Sequence, residues 1–298
     1  MEQSLSTPTL SHFVAAHYWR RKAVNHLMCA LLGGAAIAAL IPLFSIFGYV
    51  VQQGLPALNL PFFTQIPKPV GESGGGMANA VVGTLILIFL ASSIGIPWGM
   101  ATGIYLSEYG RGRSAKIIRF AAEMLASIPS IIIGLFVYAV VVMTSKHFSA
   151  WSGGLALGIL MVPTVARTTE ELLKMVPVHI REAGLALGLP RWKVILLIVV
   201  RGSMKGIITG VMLGIARVAG ETAPLLFTAF GNQFWSVNLN QPISSIPVQI
   251  YTYAISPYEE WHRQAWAGAF VLVSLVFVMN IITRIVFGKA ARASRGFE

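Results

Sequence analysis

The sequence predicts an all-α membrane protein with six transmembrane helices. Of its 298 residues, 55% are hydrophobic and only 11% are charged, whereas a soluble domain carries about 25% charged residues. The apolar residues also form long runs separated by short basic segments, and about 20 consecutive apolar residues suffice to cross a bilayer as a helix. An ordinary soluble domain is therefore excluded.

Six apolar stretches are expected to form the spans. A cleaved signal peptide is the alternative for the first stretch, but a long polar segment precedes it and its apolar run continues past the small residues at 36–38. Prolines inside the second, third and fourth stretches are compatible with membrane helices, because neighbouring groups can satisfy the freed carbonyls. The expected spans are residues 27–51, 80–106, 120–143, 151–173, 206–230 and 265–287.

The distribution of Lys and Arg predicts that both termini are cytoplasmic. Only Lys68, Lys146 and Arg263 fall in the connections assigned to the outer side. Cytoplasmic loops are enriched in Lys and Arg, so the net charge of +11 is assigned to orientation and to contact with lipid headgroups, not to nucleic acid. The cations on the expected inner side are Arg20, Arg21, Lys22, Arg111, Arg113, Lys116, Arg119, Lys174, Arg181, Arg191, Lys193, Arg201, Lys205, Arg284, Lys289, Arg292 and Arg295.

This layout divides the chain into four parts. A cytoplasmic tail covers residues 1–26, and the first transmembrane helix with a Pro/Gly-rich periplasmic loop covers 27–76. The main transmembrane domain covers 77–287 and includes a short water-side helix near 179–190. A second cytoplasmic tail covers 288–298.

The fifth span carries glycines at four-residue intervals. Gly206, Gly210 and Gly214 share one face of a helix, where small residues let a neighbouring helix approach closely. Arg217 and Glu221 follow on the same face at helical spacing. Because a lone cation inside a bilayer costs roughly 2.5 to 3.5 kcal/mol, Arg217 is expected to face the bundle and to pair with Glu221.

Two interpretations are open for such a pair in a membrane. It can be a site along an anion pathway, where a phosphate or sulfate displaces the carboxylate, or it can be a structural ion pair between helices. Arg167 raises the same alternatives near the end of the fourth span, because Glu170 and Glu171 lie one helical turn away. By the same spacing, Arg119 is expected to pair with Glu123.

Catalysis within this chain is not expected. The sequence has no Walker A pattern, in which Gly is followed by four residues and then by Gly-Lys-Ser or Gly-Lys-Thr, and it contains no aspartate. The inner connection instead offers a short helix that contains Glu182, Ala183 and Gly184, followed by Gly188. Its near-bald face is suited to docking in a cleft of another protein.

Two groups of residues resemble known permeases. Glu182, Ala183, Gly184 and Gly188 resemble the EAA-type coupling motif of type I ABC importer permeases, although Gly184 stands where a second Ala is usual. Further stretches resemble the phosphate permease subunits of that family, and the likeness extends over roughly residues 78–287. The stretches that carry it are 125–134, 162–167, 216–228 and 232–235.

The resemblance implies a heteromeric phosphate importer in the inner membrane. This chain would pair with a second permease subunit as a heterodimer, two cytoplasmic ATPase subunits would use ATP and Mg²⁺, and a periplasmic phosphate-binding protein would deliver the anion. No cofactor or metal is implied for this chain itself. Arg217 and Arg167 match the family's intramembrane arginines that are associated with anion passage.

Three alternatives stand beside the phosphate importer. A permease for sulfate or another anion would share every feature above, since one arginine does not distinguish tetrahedral anions. A secondary transporter driven by an ion gradient would have no need of an ATPase-docking helix. A membrane-bound enzyme is the third alternative.

Overall fold

In the computed structural model, the described residues are 9–69, 72 and 74–293. Most of them are helical and none forms a strand, which confirms the predicted all-α class. The first eight residues and Arg295, which belong to the predicted tails, lie outside the described part of the chain. The α-helices are α1 (Thr9–Gly54), α2 (Leu60–Thr64), α3 (Ala78–Ile104), α4 (Arg113–Ser127), α5 (Ser130–Val137), α6 (Met143–Ser145), α7 (Ala150–Lys174), α8 (Val178–Ala186), α9 (Arg191–Lys193), α10 (Arg201–Ala219), α11 (Ala223–Thr228), α12 (Ile246–Ala254) and α13 (Glu259–Ala293).

Other helical geometries extend several of these elements. One π-helix continues α3 at its end, a second follows α5, and a third joins α9 to α10 without a break. The π-helical segments are Tyr105–Tyr109, Tyr138–Val142 and Val194–Val200, and a 3-10 turn is formed by Leu55–Ala57.

Five helical stretches of the described chain are long and apolar enough to cross a membrane. A sixth span results if α4 and the bent continuation Ser130–Ser145 count as one broken span. This result confirms the multi-span architecture. The five stretches are Tyr18–Ala57, Ala78–Tyr109, Ala150–Lys174, Arg191–Ala219 and Glu259–Thr283.

The third expected span, 120–143, is wrong as a single helix. Its two halves, α4 and α5, meet at an angle of 102°. Pro129 causes the break, because a proline disfavours helical geometry in the preceding residue. Ile128 accordingly has φ −69° and ψ 132°, which is extended backbone.

The fifth expected span, 206–230, is wrong at both ends. The span begins at Arg191, because a π-helix and α9 precede α10, and α10 stops at Ala219. A separate short helix, α11, then begins with Pro224 in its first turn. A proline is tolerated there, since the N–H that it lacks would have no partner within the helix.

Two compact units make up the chain, Met1–Gln52 and Gln53–Glu298. The first unit consists of α1 as far as Gln52, and the most apolar window of this helix is not buried by the described chain. Leu32 and Phe44 are examples of its exposed apolar side chains. A helix that is apolar on all sides and satisfies its own backbone hydrogen bonds is suited to the hydrocarbon of a bilayer.

In the second unit, α7 is the central helix and glycines bring two neighbours close to it. A Cβ added to Gly99 of α3 would lie 2.7 Å from Cβ of Val165, and one added to Gly210 of α10 would lie 2.2 Å from Cγ2 of Thr168. Such distances leave no room for a side chain, so the helix backbones approach closely. The glycines that face α7 are Gly95, Gly99 and Gly103 on α3, and Gly206, Gly210 and Gly214 on α10.

Replacing Gly210 with Ala should therefore destabilise the fold. The added methyl group overlaps the branched Thr168 side chain, and overpacking of this kind costs about 1 to 3 kcal/mol. Gly202→Ala is the matched control, because Gly202 lies on the same helix with nothing within 4 Å of its Cβ position. It should stabilise the helix by about 0.5 to 1 kcal/mol through helix propensity. Equal unfolding temperatures for the two variants in detergent would contradict the α7–α10 contact.

Candidate functional site

Arg217 lies in the last turn of α10. Its Nη1 donates to Oγ1 of Thr164 on α7 at 3.4 Å, and the side chain is exposed. The C-terminal end of a helix carries partial negative charge, which stabilises a cation by about 0.3 to 1 kcal/mol at an exposed position. Within the described chain, most of the guanidinium N–H groups of Arg217 have no protein acceptor, so they remain available to an anion.

The expected ion pair between Arg217 and Glu221 is not formed. The pair presupposed a helix that continues through both residues, but α10 stops at Ala219 and Gly220 caps it. Glu221 therefore lies in the turn that joins α10 to α11, where it is half-buried. The guanidinium and the carboxylate do not come within 4.0 Å of each other.

Arg167 pairs within its own helix. Its Nε donates to Oε1 of Glu171 at 3.0 Å, and the two side chains are 70% and 64% exposed. An ion pair this exposed contributes at most about 1 kcal/mol, so another anion can replace the carboxylate at little cost. Thr164, which contacts Arg217 of α10, lies one turn before Arg167 on α7. Both guanidinium groups are therefore attached or bonded to the same stretch of α7.

A cleft of 220 Å³ between α4 and α7 contains Arg167. Its lining carries three cations and three carboxylates, so the cleft is polar but balanced in charge. Pro163 and Ala166 of α7 complete the wall nearest to Thr164. The charged residues that line the cleft are Arg119, Glu123, Arg167, Glu170, Glu171 and Lys174.

Glu170 joins α4 to α7 inside this cleft. Its Oε1 accepts from Nη2 of Arg119 at 2.5 Å and from Nζ of Lys174 at 2.5 Å, and its side chain is only 7% exposed. The expectation that Arg119 pairs with Glu123 is therefore wrong. Arg119 reaches across to another helix, because a buried carboxylate needs charged donors more than an exposed one does.

The water-side helix α8 is anchored through Gly184. A Cβ on Gly184 would lie 2.9 Å from Cδ1 of Ile198 and 3.0 Å from Cγ2 of Val194, both in the third π-helix. Gly184 is thus buried against the same chain, because its missing side chain makes room for the chain's own span. The docking of α8 in a partner protein stays a prediction.

Gly188 follows the C-cap of α8, so it does not belong to the face that contains Gly184. It has φ +77°, its N–H donates to the carbonyl of Leu185 at 2.9 Å, and the N–H of Leu189 donates to the carbonyl of Gly184 at 3.4 Å. These two bonds form a Schellman motif, in which the residue after the C-cap adopts the left-handed conformation. The coupling pattern therefore contains one packing glycine and one capping glycine.

Replacing Gly188 with Ala should lower stability by about 1 kcal/mol, because an L side chain is strained in the left-handed region. Nothing lies within 4 Å of its Cβ position, so the cost comes from the backbone alone. Gly188→Asn should cost less, since Asn tolerates this conformation better. Unfolding midpoints of the two variants check the ranking, and an Ala variant as stable as the wild type would contradict it.

The exposed face of α8 is mainly apolar. Val178 is 65% exposed and Leu185 is 48% exposed. Met175, three residues before the helix, and Leu187, at its C-cap, extend this apolar surface and are 77% and 80% exposed. Glu182 and Ala183 are exposed on the same helix. Apolar side chains exposed at the water side of a membrane protein typically mark a surface that another protein covers.

The sequence did not reveal a buried ion pair behind α8. Nη2 of Arg181 donates to Oε1 of Glu108 at 2.6 Å, and the two side chains are 20% and 5% exposed. The hydrogen bonds that Arg181 donates to the Glu108 carboxylate raise the pKa of Arg181, so the guanidinium is charged at every physiological pH. The partners are 73 positions apart, so helical spacing contains no signal for the pair.

Comparison with known proteins identifies the family. The model of the family described as "Binding-protein-dependent transport system inner membrane component" matches residues 95–292. The phosphate transport system permease proteins PstA of Yersinia pestis and Haemophilus influenzae are 46% and 47% identical to the chain, and each match covers 91% of this chain. The matches cover 92% and 95% of those two proteins.

The chain belongs to this family, and within it to the PstA permeases. A probable PstA protein of Methanocaldococcus jannaschii is 36% identical over 90% of this chain and 95% of its own length. Membership in the PstA group and the apolar helices confirm that the chain is a multi-pass inner membrane protein. Its role is in transport rather than in catalysis.

Solved structures confirm the expected type I ABC importer permease fold for this PstA-family chain. An inward-facing structure of the MetNI methionine ABC transporter aligns with a TM-score of 0.52 over 72% of this chain and 92% of that chain, at 15% identity. An amino acid ABC transporter aligns with a TM-score of 0.50 over 73% and 92% of the two chains, also at 15% identity.

Several expectations for the PstA-family chain stay predictions. These are the cytoplasmic location of both termini, the four-part division of the chain, and the roles of the pathway and coupling residues. In the ranges that the structure describes, no group of three or more His, Cys, Asp or Glu side chains is arranged to hold a metal ion.

Proposed function

We propose that this chain forms half of the pathway by which an ATP-driven importer moves inorganic phosphate across the inner membrane. The observation that carries the proposal is the exposed guanidinium of Arg217, which donates to Thr164 of α7 and has no carboxylate partner in the described part of the chain. An arginine can bind two oxygens of a phosphate at once, which suits transient anion binding. The PstA relatives, named as phosphate transport permeases, support phosphate as the anion.

Phosphate would continue from Arg217 along α7. Arg167 lies one turn from Thr164, and its exposed pair with Glu171 can exchange for an entering anion at low cost. The 220 Å³ cleft then leads past Arg119. Glu170 accepts hydrogen bonds from both Arg119 and Lys174 there, and its negative charge offsets part of theirs, which weakens their hold on the phosphate.

A second permease subunit would complete the pathway. Arg217 is exposed in the isolated chain, although a cation facing hydrocarbon is costly. A partner permease that covers this side of α10 would enclose the guanidinium in a polar channel. Two ATPase subunits would bind ATP and Mg²⁺ on the cytoplasmic side, one of them against the apolar face of α8.

The segment between α11 and α12 would receive the periplasmic phosphate-binding protein. Phe234 is 73% exposed and Trp235 is 55% exposed in this segment. A cavity of 440 Å³ opens beside it and is lined by polar side chains that include Asn232, Gln233 and Gln249. Exposed aromatic side chains next to a cavity that presents several amide groups suit a docking protein that releases a polar solute.

Transport by the reconstituted complex tests the proposed function. Proteoliposomes that contain the chain, the second permease and the ATPase subunits should take up labelled phosphate only when both ATP and the binding protein are supplied. Ionophores that collapse ion gradients should leave this uptake unchanged. Gradient-driven uptake by the chain alone would support a secondary transporter, and uptake of labelled sulfate in preference to phosphate would support the other anion permease.

A further inference from the structure

One buried carboxylate connects α8 to the inner end of the α3 span. Glu108 lies in the π-helix that continues α3, and its side chain is 5% exposed. Nε of Arg181 donates to Oε2 of Glu108 at 3.0 Å, and Nη2 donates to Oε1 at 2.6 Å. This two-bond geometry is the strongest form of Arg–carboxylate contact and fixes both position and orientation.

The same guanidinium is also fixed within the connection that leads to α8. Nη1 of Arg181 donates to the carbonyl of Val176 at 2.6 Å, and Nη2 donates to the carbonyl of Leu173 at 2.8 Å. Leu173 belongs to the last turn of α7. Arg181 therefore joins α8 to two spans, α3 through Glu108 and α7 through a backbone carbonyl.

A third span also contacts Glu108. Nη2 of Arg191 donates to the backbone carbonyl of Glu108, and its guanidinium lies 4.7 Å from the ring centre of Tyr109. Arg191 is the first residue of the span that contains α10. Glu108 thus contacts α8 through its side chain and the α10 span through its backbone.

Two π-helices contact α8. Glu108 belongs to the first, and the residues that pack against Gly184 belong to the third. π-Helices account for well under 1% of residues, and they occur frequently at functional sites. Two π-helices in contact with one short helix indicate that the junction of α8 with the spans is specialised rather than a simple connection.

The N-terminal end of α3 is also fixed by hydrogen bonds. Oγ1 of Thr84 accepts from the N–H of Ile246 at 2.8 Å, and Nδ2 of Asn79 donates to the carbonyl of Asn232 at 2.6 Å. These contacts hold the segment that borders the 440 Å³ cavity. The α3 span therefore runs between the α8 junction and the cavity segment, with hydrogen bonds at each end.

We infer that Glu108 is a positioning residue that makes α8 and the inner ends of the α3 and α10 spans move as one body. A displacement of α8 would then reach the cavity segment through α3 as well as the Arg217 region through α10. Leaving either charge of a buried pair unpaired is costly, so the contact persists during the movement. The inference rests on the proposed function, in which a docked ATPase displaces α8.

The test measures phosphate transported per ATP hydrolysed by the full complex in proteoliposomes. The variant is Glu108→Gln combined with Arg181→Met, because removal of both charges leaves none buried and unpaired. It should assemble and hydrolyse ATP, but move at least about fivefold fewer phosphate ions per ATP, the lower end of typical coupling between sites. The control is Glu260→Gln with Arg263→Met, which removes an exposed pair and should keep the wild-type ratio.

The outcomes separate this inference from the proposed function. An assembled double variant with the wild-type ratio overturns the role of Glu108, provided that the wild-type complex transports phosphate. A wild-type complex that hydrolyses ATP without moving phosphate overturns the proposed function itself. If the double variant does not assemble, Arg181→Lys decides, because Lys keeps the charge but cannot make two parallel bonds. A normal ratio in that variant also overturns the inference.

Discussion

Phosphate uptake should fall to background when Arg217 is replaced with Gln. In the proposed pathway this guanidinium binds phosphate through charge-assisted hydrogen bonds, which contribute about 1.5 to 3 kcal/mol each, and the substitution removes its charge. A loss of about 3 kcal/mol corresponds to roughly a 150-fold lower rate. Uptake of labelled phosphate by proteoliposomes measures the effect, and the yield of assembled complex and its ATPase rate should stay unchanged.

Two further variants define the role of Arg217. Arg217→Lys retains the charge without the two-donor geometry, so it should give intermediate uptake. Arg263→Gln removes an exposed arginine that pairs with Glu260 at 3.1 Å, and it should transport normally. Normal uptake by Arg217→Gln would contradict a role of this residue in anion passage.

The largest loss of stability is expected for Gly83→Val. A Cβ on Gly83 of α3 would lie 2.0 Å from the backbone oxygen of Ser244 and 3.0 Å from Cγ1 of Ile243. A backbone atom cannot move aside as a flexible side chain does, so the cost should reach or exceed about 3 kcal/mol. Thermal unfolding of the purified chain in detergent measures the shift.

Gly34→Val is the matched control for this effect. Gly34 also lies in an apolar helix, but nothing is within 4 Å of its Cβ position in the described chain. Its replacement changes only helix propensity, which differs little between Gly and Val. A comparable loss of stability in both variants would show that close packing against Ser244 is not the cause.

The glycine patterns illustrate how much the sequence predicts. The spacing of Gly206, Gly210 and Gly214 predicted one close-packed face, and all three residues face α7. The same four-residue spacing occurs at Gly95, Gly99 and Gly103 in α3, and these glycines also face α7. A repeat identifies the face of a helix, but it does not identify the helix that covers this face.

The broken spans show a second limit. Pro129 lies inside an apolar run of the sequence, but so does Pro97, which α3 contains without a break. Whether a proline ends a helix depends on the groups that accept or replace its lost hydrogen bond. Those groups belong to other helices, so local sequence does not distinguish the two prolines.

Charged residues show the third limit. Local spacing correctly allowed the pair between Arg167 and Glu171, which are four residues apart. It failed for Arg119, whose carboxylate partner Glu170 is 51 positions away. A charge near a helix end pairs locally when both groups are exposed, but a buried carboxylate takes whichever donors the packing brings to it.

The sequence by itself determined that this chain is a helical membrane protein of the ABC importer permeases, because apolar run length and local motifs reflect chain composition and short-range geometry. The tertiary structure alone decided that Arg217 has no carboxylate partner among the residues that the structure describes, that Gly184 packs inward, and that Glu108 connects α8 to the spans. These contacts join residues far apart along the chain, and only packing of the helices brings their atoms within bonding distance.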